Sequence, residues 1–215
     1  VYGGGMTSAT TTTSATTAGA AGRPREFDEE QVLDALVELF WNEGFESASL
    51  ADIVEAAGLN KSSIYNTFGS KNELFYRVLD RYLDQRNQFL QSHMREGGLE
   101  VILELIEMMR LEVTEVLPGR GCLAVNSTTE LGLRDEQAQD VAKKYRAMMR
   151  GAMEPALRYA GARGEIRPEL VDVYADTLLS LAIGLTVASR GGAPRDELDR
   201  LADSMALLVE SWRVG

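Results

Sequence analysis

Apolar residues recur with the spacing of an α-helix in almost every segment between residues 28 and 213. The first segment shows the pattern clearly, because Val32, Leu36, Leu39 and Phe40 are spaced so that they share one helix face. No segment alternates apolar and polar residues in the way of a half-buried strand. The sequence therefore predicts an all-α fold of about nine helices without a β-sheet.

Glycine, proline and capping residues divide the chain into the individual helices. Ser70 and Glu73 form a capping box at the start of one long helix, and Pro155 predicts a kink inside another. The predicted helices span residues 28–43, 49–57, 60–68, 70–95, 99–117, 122–133, 135–160, 169–190 and 195–213.

Cysteine and histidine are too rare for most metal and redox sites. The 215 residues include one cysteine, Cys122, and one histidine, His93. These counts exclude an intrachain disulfide, a cysteine-rich zinc site and a site with several histidine ligands. A Ser-His-Asp triad would have to use His93, which lies in a polar stretch typical of an exposed helix face. We therefore expect no catalytic residue, no metal and no cofactor.

Residues 1–22 are rich in Thr, Ser, Ala and Gly and carry no charge. Such a segment buries too little apolar surface to fold, so we expect a disordered tail. It lacks the basic and apolar regions of a signal peptide. The longest charge-free stretch of the remaining chain, Thr177–Ser189, is shorter than the roughly 18 to 20 apolar residues that span a bilayer. We expect a cytoplasmic protein without a membrane partner.

The net charge of −11 argues against general binding to nucleic acid, because phosphate contacts need lysine and arginine. The basic residues are unevenly distributed. Residues 26–55 contain ten acidic residues and no basic one, whereas Arg23 and Arg25 precede this stretch and two lysines follow it within residues 56–71. Charge alone leaves two alternatives for this strip, DNA binding and an ordinary solvated helix face.

Two short predicted helices, joined by Gly58-Leu59, form a helix-turn-helix candidate. In the second of them, Ile64 and Phe68 are four residues apart and share a face that points to the core. The other side chains form hydrogen bonds and carry one positive charge, as in a recognition helix that contacts bases and phosphates. These outward residues are Lys61, Ser62, Ser63, Tyr65, Asn66 and Thr67.

A series of motifs runs through residues 22–76: a helix ending in Gly-aromatic, a serine before a short helix, an Ala-Gly turn, Lys-x-x-hydrophobic-Tyr-x-x-Phe and Ser-Lys-x-x-Leu. The residues that form them are Gly44-Phe45, Ser49, Ala57-Gly58, Lys61 with Ile64-Tyr65 and Phe68, and Ser70-Lys71 with Leu74. In spacing and chemistry this segment resembles the N-terminal domain of the TetR family of bacterial transcriptional regulators. Two positions differ from the family pattern. Ser62 stands where glycine is frequent, and Asn66-Thr67 replaces an aromatic residue and histidine, so the base-reading positions are individual.

The resemblance implies a DNA-binding domain over residues 23–69 and a ligand-binding and dimerisation domain over residues 70–215, with residues 70–95 connecting them. It also implies a homodimer on a palindromic double-stranded operator. The arginines before the first helix either enter a minor groove or solubilise the tail. The expected DNA-contacting residues are Arg23, Arg25, Ser49, Lys61, Ser62, Ser63, Tyr65, Asn66, Thr67 and Lys71.

The second domain is expected to bind an unknown small-molecule effector of apolar or amphipathic character, which would release a repressor from its operator. The segment around Cys122 resembles a branch of the family in which some members sense electrophiles or oxidants through a cysteine. Cys122 is either such a sensor or a small buried apolar residue, and the methionines either line a pocket or fill the core. The expected pocket residues are Met109, Val113, Cys122, Tyr145, Met148 and Met149.

Apolar residues in the last two predicted helices recur at spacings of three and four residues and form a stripe along the helix surface. Such a stripe forms a four-helix bundle across a two-fold axis or packs inside one subunit. Besides a ligand-responsive repressor, two further classes of function remain open: a DNA binder without a ligand, and a helical-bundle enzyme or carrier. The expected dimer-interface residues are Leu178, Ala182, Leu185, Leu198, Leu201, Met205, Leu208 and Trp212.

Overall fold

The computed structural model describes residues 27–94 and 97–214, which fold into helices with short connections and no β-strand. The all-α prediction is therefore confirmed for this part of the chain. The predicted tail of residues 1–22 lies outside the described residues. The helices are α1 (Glu29–Glu43), α2 (Leu50–Ala57), α3 (Lys61–Phe68), α4 (Lys71–His93), α5 (Leu99–Leu111), α6 (Leu123–Leu131), α7 (Glu136–Ala162), α8 (Val171–Arg190) and α9 (Arg195–Glu210).

Capping residues that the sequence identifies begin the first four helices. The Asp28 carboxylate accepts a hydrogen bond from a backbone N–H in the first turn of α1, and Asn60 caps α3 in the same way. Ser49 and Ser70 each form a complete capping box. Gly58 adopts a left-handed conformation with φ of 61°, which ends α2 and lets the chain turn tightly into α3.

One local detail differs from the sequence prediction. The helix predicted for residues 99–117 is regular only to Leu111, and a wider π-helical turn, Glu112–Val116, follows it. In this turn the Thr114 hydroxyl donates to the carbonyl of Arg110 at 2.8 Å, an alternative partner for the helix backbone. Pro155 lies within the continuous helix α7, and the kink predicted at this residue stays a prediction.

Aromatic side chains connect α1 to α4. Phe75 lies with its ring centroid 4.9 Å from that of Phe40 and 4.8 Å from that of Phe45. Trp41 makes an edge contact with Tyr82, about two turns of α4 beyond Phe75, at 5.1 Å. The three N-terminal helices are therefore attached to the body through a shared core.

One helical stretch among the described residues, Pro168–Arg190, has the length and composition of a membrane span. This stretch is longer than the charge-free segment Thr177–Ser189 because it includes charged residues at its start and end. A core helix of a water-soluble protein passes the same test, so the match is weak evidence. Ala175, Leu178 and Ala182 on α8 are buried in the body of the subunit, as expected for a core helix.

Candidate functional site

The outer face of α3 carries a continuous set of polar side chains. Ile64 and Phe68 anchor the helix in the core, with about 2% of their surface exposed. The Asn60 side chain accepts hydrogen bonds from the Ser63 backbone N–H at 2.9 Å and from the Ser62 hydroxyl at 2.7 Å. This cap fixes the first turn of α3. The exposed side chains are Lys61, Ser62, Tyr65 and Asn66, and Ser63 and Thr67 are half-buried beside them.

Two lysines flank this face. Lys61 Nζ lies 5.8 Å from the centroid of the Tyr65 ring. Lys71 Nζ lies 4.7 Å from the centroid of the Phe45 ring and donates to the carbonyl of Glu46 at 3.4 Å. No salt bridge within residues 27–94 and 97–214 involves either lysine. Each lysine places a positive charge beside this face.

Ser49 lies at the start of α2. Its backbone N–H donates to the Asp52 carboxylate at 2.7 Å, and its hydroxyl accepts from the Asp52 N–H at 3.2 Å. Hydrogen bonding of the Asp52 carboxylate to the Ser49 hydroxyl and to the Ser49 backbone N–H lowers the pKa of Asp52. The arginines predicted to contact DNA, Arg23 and Arg25, lie outside the described residues.

Most of the predicted pocket residues lie in the packed core of the body. The Tyr82 hydroxyl donates to Cys122 Sγ at 3.4 Å. Burial raises the pKa of Tyr82 and of Tyr145 well above the ordinary value, and the neighbouring Cys122 raises both further. The salt bridge between Arg86 and Glu112 lies beside this group, with N–O distances of 2.5 and 2.9 Å. The buried members of the predicted pocket are Met109, Val113, Cys122, Tyr145 and Met149.

A groove of about 820 Å³ lies elsewhere, between the second half of α4 and the middle of α7. Of the predicted pocket residues, only Met148 borders this groove, and the predicted ligand pocket stays a prediction. Pro155 offers a signal for this site in the sequence, because proline lacks the N–H that would bond the carbonyl four residues earlier, at Gly151. The lining residues are Asn87, Leu90, Gln91, Met94, Gly97, Ala147, Met148, Gly151, Ala152, Pro155, Ala156 and Tyr159.

The predicted dimer-interface residues divide into two groups. Leu201 and Leu208 are each 38% exposed, and Trp212 is half-buried and stacks on Tyr174 with centroids 4.2 Å apart. The stripe predicted for α9 therefore alternates between core and surface, and the dimer interface itself stays a prediction. The other five residues are buried in the core of the chain itself. They are Leu178, Ala182, Leu185, Leu198 and Met205.

Known proteins match both halves of the chain. The family model for bacterial regulatory proteins of the tetR family matches residues 32–78. The model for the tetracyclin repressor-like C-terminal domain matches residues 98–205. The HTH-type transcriptional repressor ComR of Escherichia coli is 32% identical over 185 residues, which cover 84% of this chain and 88% of that protein. The repressor BdcR of the same organism is 30% identical over 177 residues, or 82% of this chain and 86% of that protein.

Solved structures agree with these matches. A cysteine mutant of the TetR-family regulator CifR, in complex with 26-base-pair operator DNA, superposes with a TM-score of 0.75 at 26% identity, over 86% of this chain and 98% of that one. Reduced NemR of Escherichia coli shares the fold, with a TM-score of 0.69 at 18% identity over 86% of this chain and 96% of that one. With both family models matched, and with a repressor 32% identical over most of its length, this chain belongs to the TetR family of DNA-binding transcriptional regulators.

Proposed function

We propose that this regulator is a homodimeric repressor that binds a palindromic operator and leaves it when a small amphipathic molecule binds the body. The observation that carries the proposal is the outer face of α3, where four polar side chains are exposed above two buried anchors. A recognition helix presents this combination to a major groove. The repressors ComR and BdcR are consistent with the direction of regulation.

The residues of this face divide by chemistry into two roles. Lys61, Tyr65 and Lys71 contact phosphates, because their donors are charged or phenolic and lie at the edges of the face. Asn66 reads a base, since its amide can both donate to and accept from the edge of adenine. Ser62, Ser63 and Thr67 add shorter hydrogen-bonding groups around it, and Ser49 contacts the backbone from the start of α2.

A two-fold dimer would bury the exposed uncharged residues on the outward side of α8 and α9. The exposed side of α8 carries Val173, Gly184 and Val187, and α9 adds Leu201 and Leu208. An uncharged strip of this kind on two neighbouring helices suits a four-helix bundle between two copies. The bundle would hold two recognition helices at a fixed separation, as a palindromic operator requires.

The groove between α4 and α7 is the proposed effector site. Among the described residues, its lining combines apolar side chains with the amides of Asn87 and Gln91, and none of these lining residues is charged. The carbonyl of Gly151, which lacks the N–H of Pro155 as a partner, is available as an acceptor. An uncharged molecule with an apolar body and a hydrogen-bonding group fits this lining.

Binding experiments with operator DNA test the main proposal. Fragments of the host genome that bind the protein supply the operator. Lys61→Ala should weaken binding to every sequence and reduce the slope of affinity against salt by about one unit, because one phosphate contact is lost. Lys143→Ala is the matched control, since it removes the same charge from an exposed site on α7.

Asn66→Ala should change the preference at particular bases by about 1–3 kcal/mol, with little change in the salt slope. A wild-type protein that prefers no duplex, or a Lys61→Ala variant with unchanged affinity and salt slope, would contradict the proposed DNA-binding face. Binding of DNA with no response to host metabolites would support the alternative of a regulator without a ligand.

A second trigger is favoured by the position of Cys122. The residue is the N-cap of α6, and its thiol contacts Tyr82 of α4, so a modified sulfur would force two helices apart. Cys122→Ser separates the two triggers, because it removes the thiol and nearly preserves the volume. We expect the variant to leave its operator in response to host metabolite extracts. Loss of every response, with folding and operator affinity intact, would favour oxidation or electrophile modification instead.

A further inference from the structure

Polar contacts hold both ends of α6 against the N-terminal helices. Just before α6, the guanidinium of Arg120 lies 4.8 Å from the centroid of the Trp41 ring and bonds to Asn42 and Glu38 of α1. In the last turn of α6, the Glu130 carboxylate reaches the loop between α1 and α2. A cavity of about 290 Å³ lies between α1 and α6, and Arg190 of α8 borders it and donates to the carbonyl of Trp41.

The Glu130 carboxylate accepts two backbone hydrogen bonds from this loop. One oxygen accepts from the N–H of Phe45 at 3.1 Å and the other from the N–H of Glu46 at 2.8 Å. Both amides follow Gly44, the C-cap of α1, whose own N–H donates to the carbonyl of Phe40. Hydrogen bonds to a charged acceptor are stronger than neutral ones, so this carboxylate contributes substantially to fixing the loop.

Gly44 makes the close approach possible. A Cβ atom at this position would lie 3.0 Å from one Glu130 oxygen and 3.2 Å from the other. The residue also has φ of 81°, a conformation that favours glycine. The local sequence therefore has both the backbone freedom and the space that the carboxylate needs.

The same loop supports two groups of the proposed DNA-binding face. The N–H of Glu46 donates to Glu130, and its carbonyl accepts from Lys71 Nζ. The Phe45 ring lies under the same ammonium group. Three residues beyond Glu46, Ser49 begins α2. A change in the position of α6 would therefore move Lys71 and the start of α2 together.

We propose that Glu130 is a positioning residue for operator binding. This inference rests on the proposed function. Glu130 touches no DNA in this proposal and acts through the loop between α1 and α2. Electrostatics and positioning predict opposite changes in operator affinity when the Glu130 carboxylate is removed. Removal of a negative charge near DNA should by itself strengthen binding. Loss of the positioned loop should weaken it.

The test compares Glu130→Ala and Glu130→Gln with the wild-type protein. We expect Glu130→Ala to bind the selected operator about tenfold more weakly, whereas affinity for unrelated duplex is unchanged or slightly higher. The operator affinity of Glu130→Gln should lie between those of Glu130→Ala and the wild-type protein, because its amide oxygen still accepts one hydrogen bond. Asp140→Ala is the matched control, since it removes a carboxylate from an exposed site on α7 and should not weaken operator binding.

Amide hydrogen exchange provides a readout that does not depend on DNA. The amides of residues 44–48 should exchange faster in Glu130→Ala, and thermal unfolding monitored by circular dichroism should show that the rest of the fold persists. Operator affinity equal to or above that of the wild type, or unchanged exchange in this loop, would overturn the inference. Failure of the proposed function would look different, because the wild-type protein itself would then prefer no operator.

Discussion

The outer face of α3 and the core around Cys122 contain similar chemical groups in opposite surroundings. On α3, Lys61 and Tyr65 are exposed, and Lys61 Nζ lies 5.8 Å from the centroid of the Tyr65 ring. Around Cys122, the buried hydroxyl of Tyr82 donates to the thiol, and the half-buried side chains of Arg86 and Glu112 form a salt bridge beside it. Exposed groups held only by their own helix are available to bind a partner. Buried groups that bond one another stabilise the packing and connect the helices that carry them.

The largest effect should come from the surface that joins two copies. Leu201→Glu with Leu208→Glu places two charges on the proposed dimer face, which should give monomers and abolish operator binding. Leu111→Glu with Val116→Glu is the matched control, because those residues are at least as exposed, at 39% and 69%, but lie on and just after α5. Sedimentation velocity measures the state of both. A fully dimeric Leu201/Leu208 variant would remove α9 from the interface.

Phe75→Ala tests the shared core between the two regions. Its ring is fully buried and contacts Phe40 and Phe45, so the substitution should lower the free energy of unfolding by about 3–5 kcal/mol. Urea unfolding measures the change. Asn66→Ala, on the exposed face of α3, is the control and should change stability by less than about 0.5 kcal/mol. Similar values for both variants would contradict the contrast between exposed and buried groups.

Gly151→Phe tests the groove against the packed pocket predicted from the sequence. A Cβ atom at Gly151 meets nothing within 4 Å, so a larger side chain has space to enter the groove without disturbing the fold. Binding of the neutral fluorophore N-phenyl-1-naphthylamine should weaken about tenfold or more, because the ring occupies its site. Gly151→Ala shares the change in helix propensity but leaves the groove open. Equal binding by both variants would place the ligand elsewhere.

The smallest effect concerns the pH dependence of the contact between α1 and α4. Hydrogen bonds from Arg81 lower the pKa of Asp34 below its ordinary value of 3.8. A lowered pKa means that the pair stabilises the folded state above about pH 4 and that this contribution is lost as the pH falls through the folded-state value. Because Asp34 is partly exposed, Asp34→Asn should lower the free energy of unfolding at pH 7 by only about 0.5 kcal/mol.

Urea unfolding at several pH values measures this difference, which should shrink towards zero below pH 4. The same substitution in an Arg81→Ala background isolates the pair, since Asp34→Asn should then have almost no effect. A difference that stays constant down to low pH would show that the carboxylate charge is not responsible.

Local signals in the sequence account for the helices and for the DNA-binding face. Ser49, Asn60 and Ser70 cap their helices through neighbours within three residues, so their roles depend only on the nearby chain. The outward direction of Lys61 and Asn66 follows from the helical period once Ile64 and Phe68 are assigned to the core. These features need no knowledge of distant contacts.

The arrangement of the body was decided by contacts between distant residues. Met109 and Met148 have similar apolar patterns in the sequence, but Met109 is packed in the core and Met148 borders the groove. Glu130 resembles any exposed helix acid until the fold places it against amides 84 and 85 residues earlier. Helical periodicity gives each residue a face, whereas the way helices cross determines whether that face meets a neighbour, a cavity or solvent.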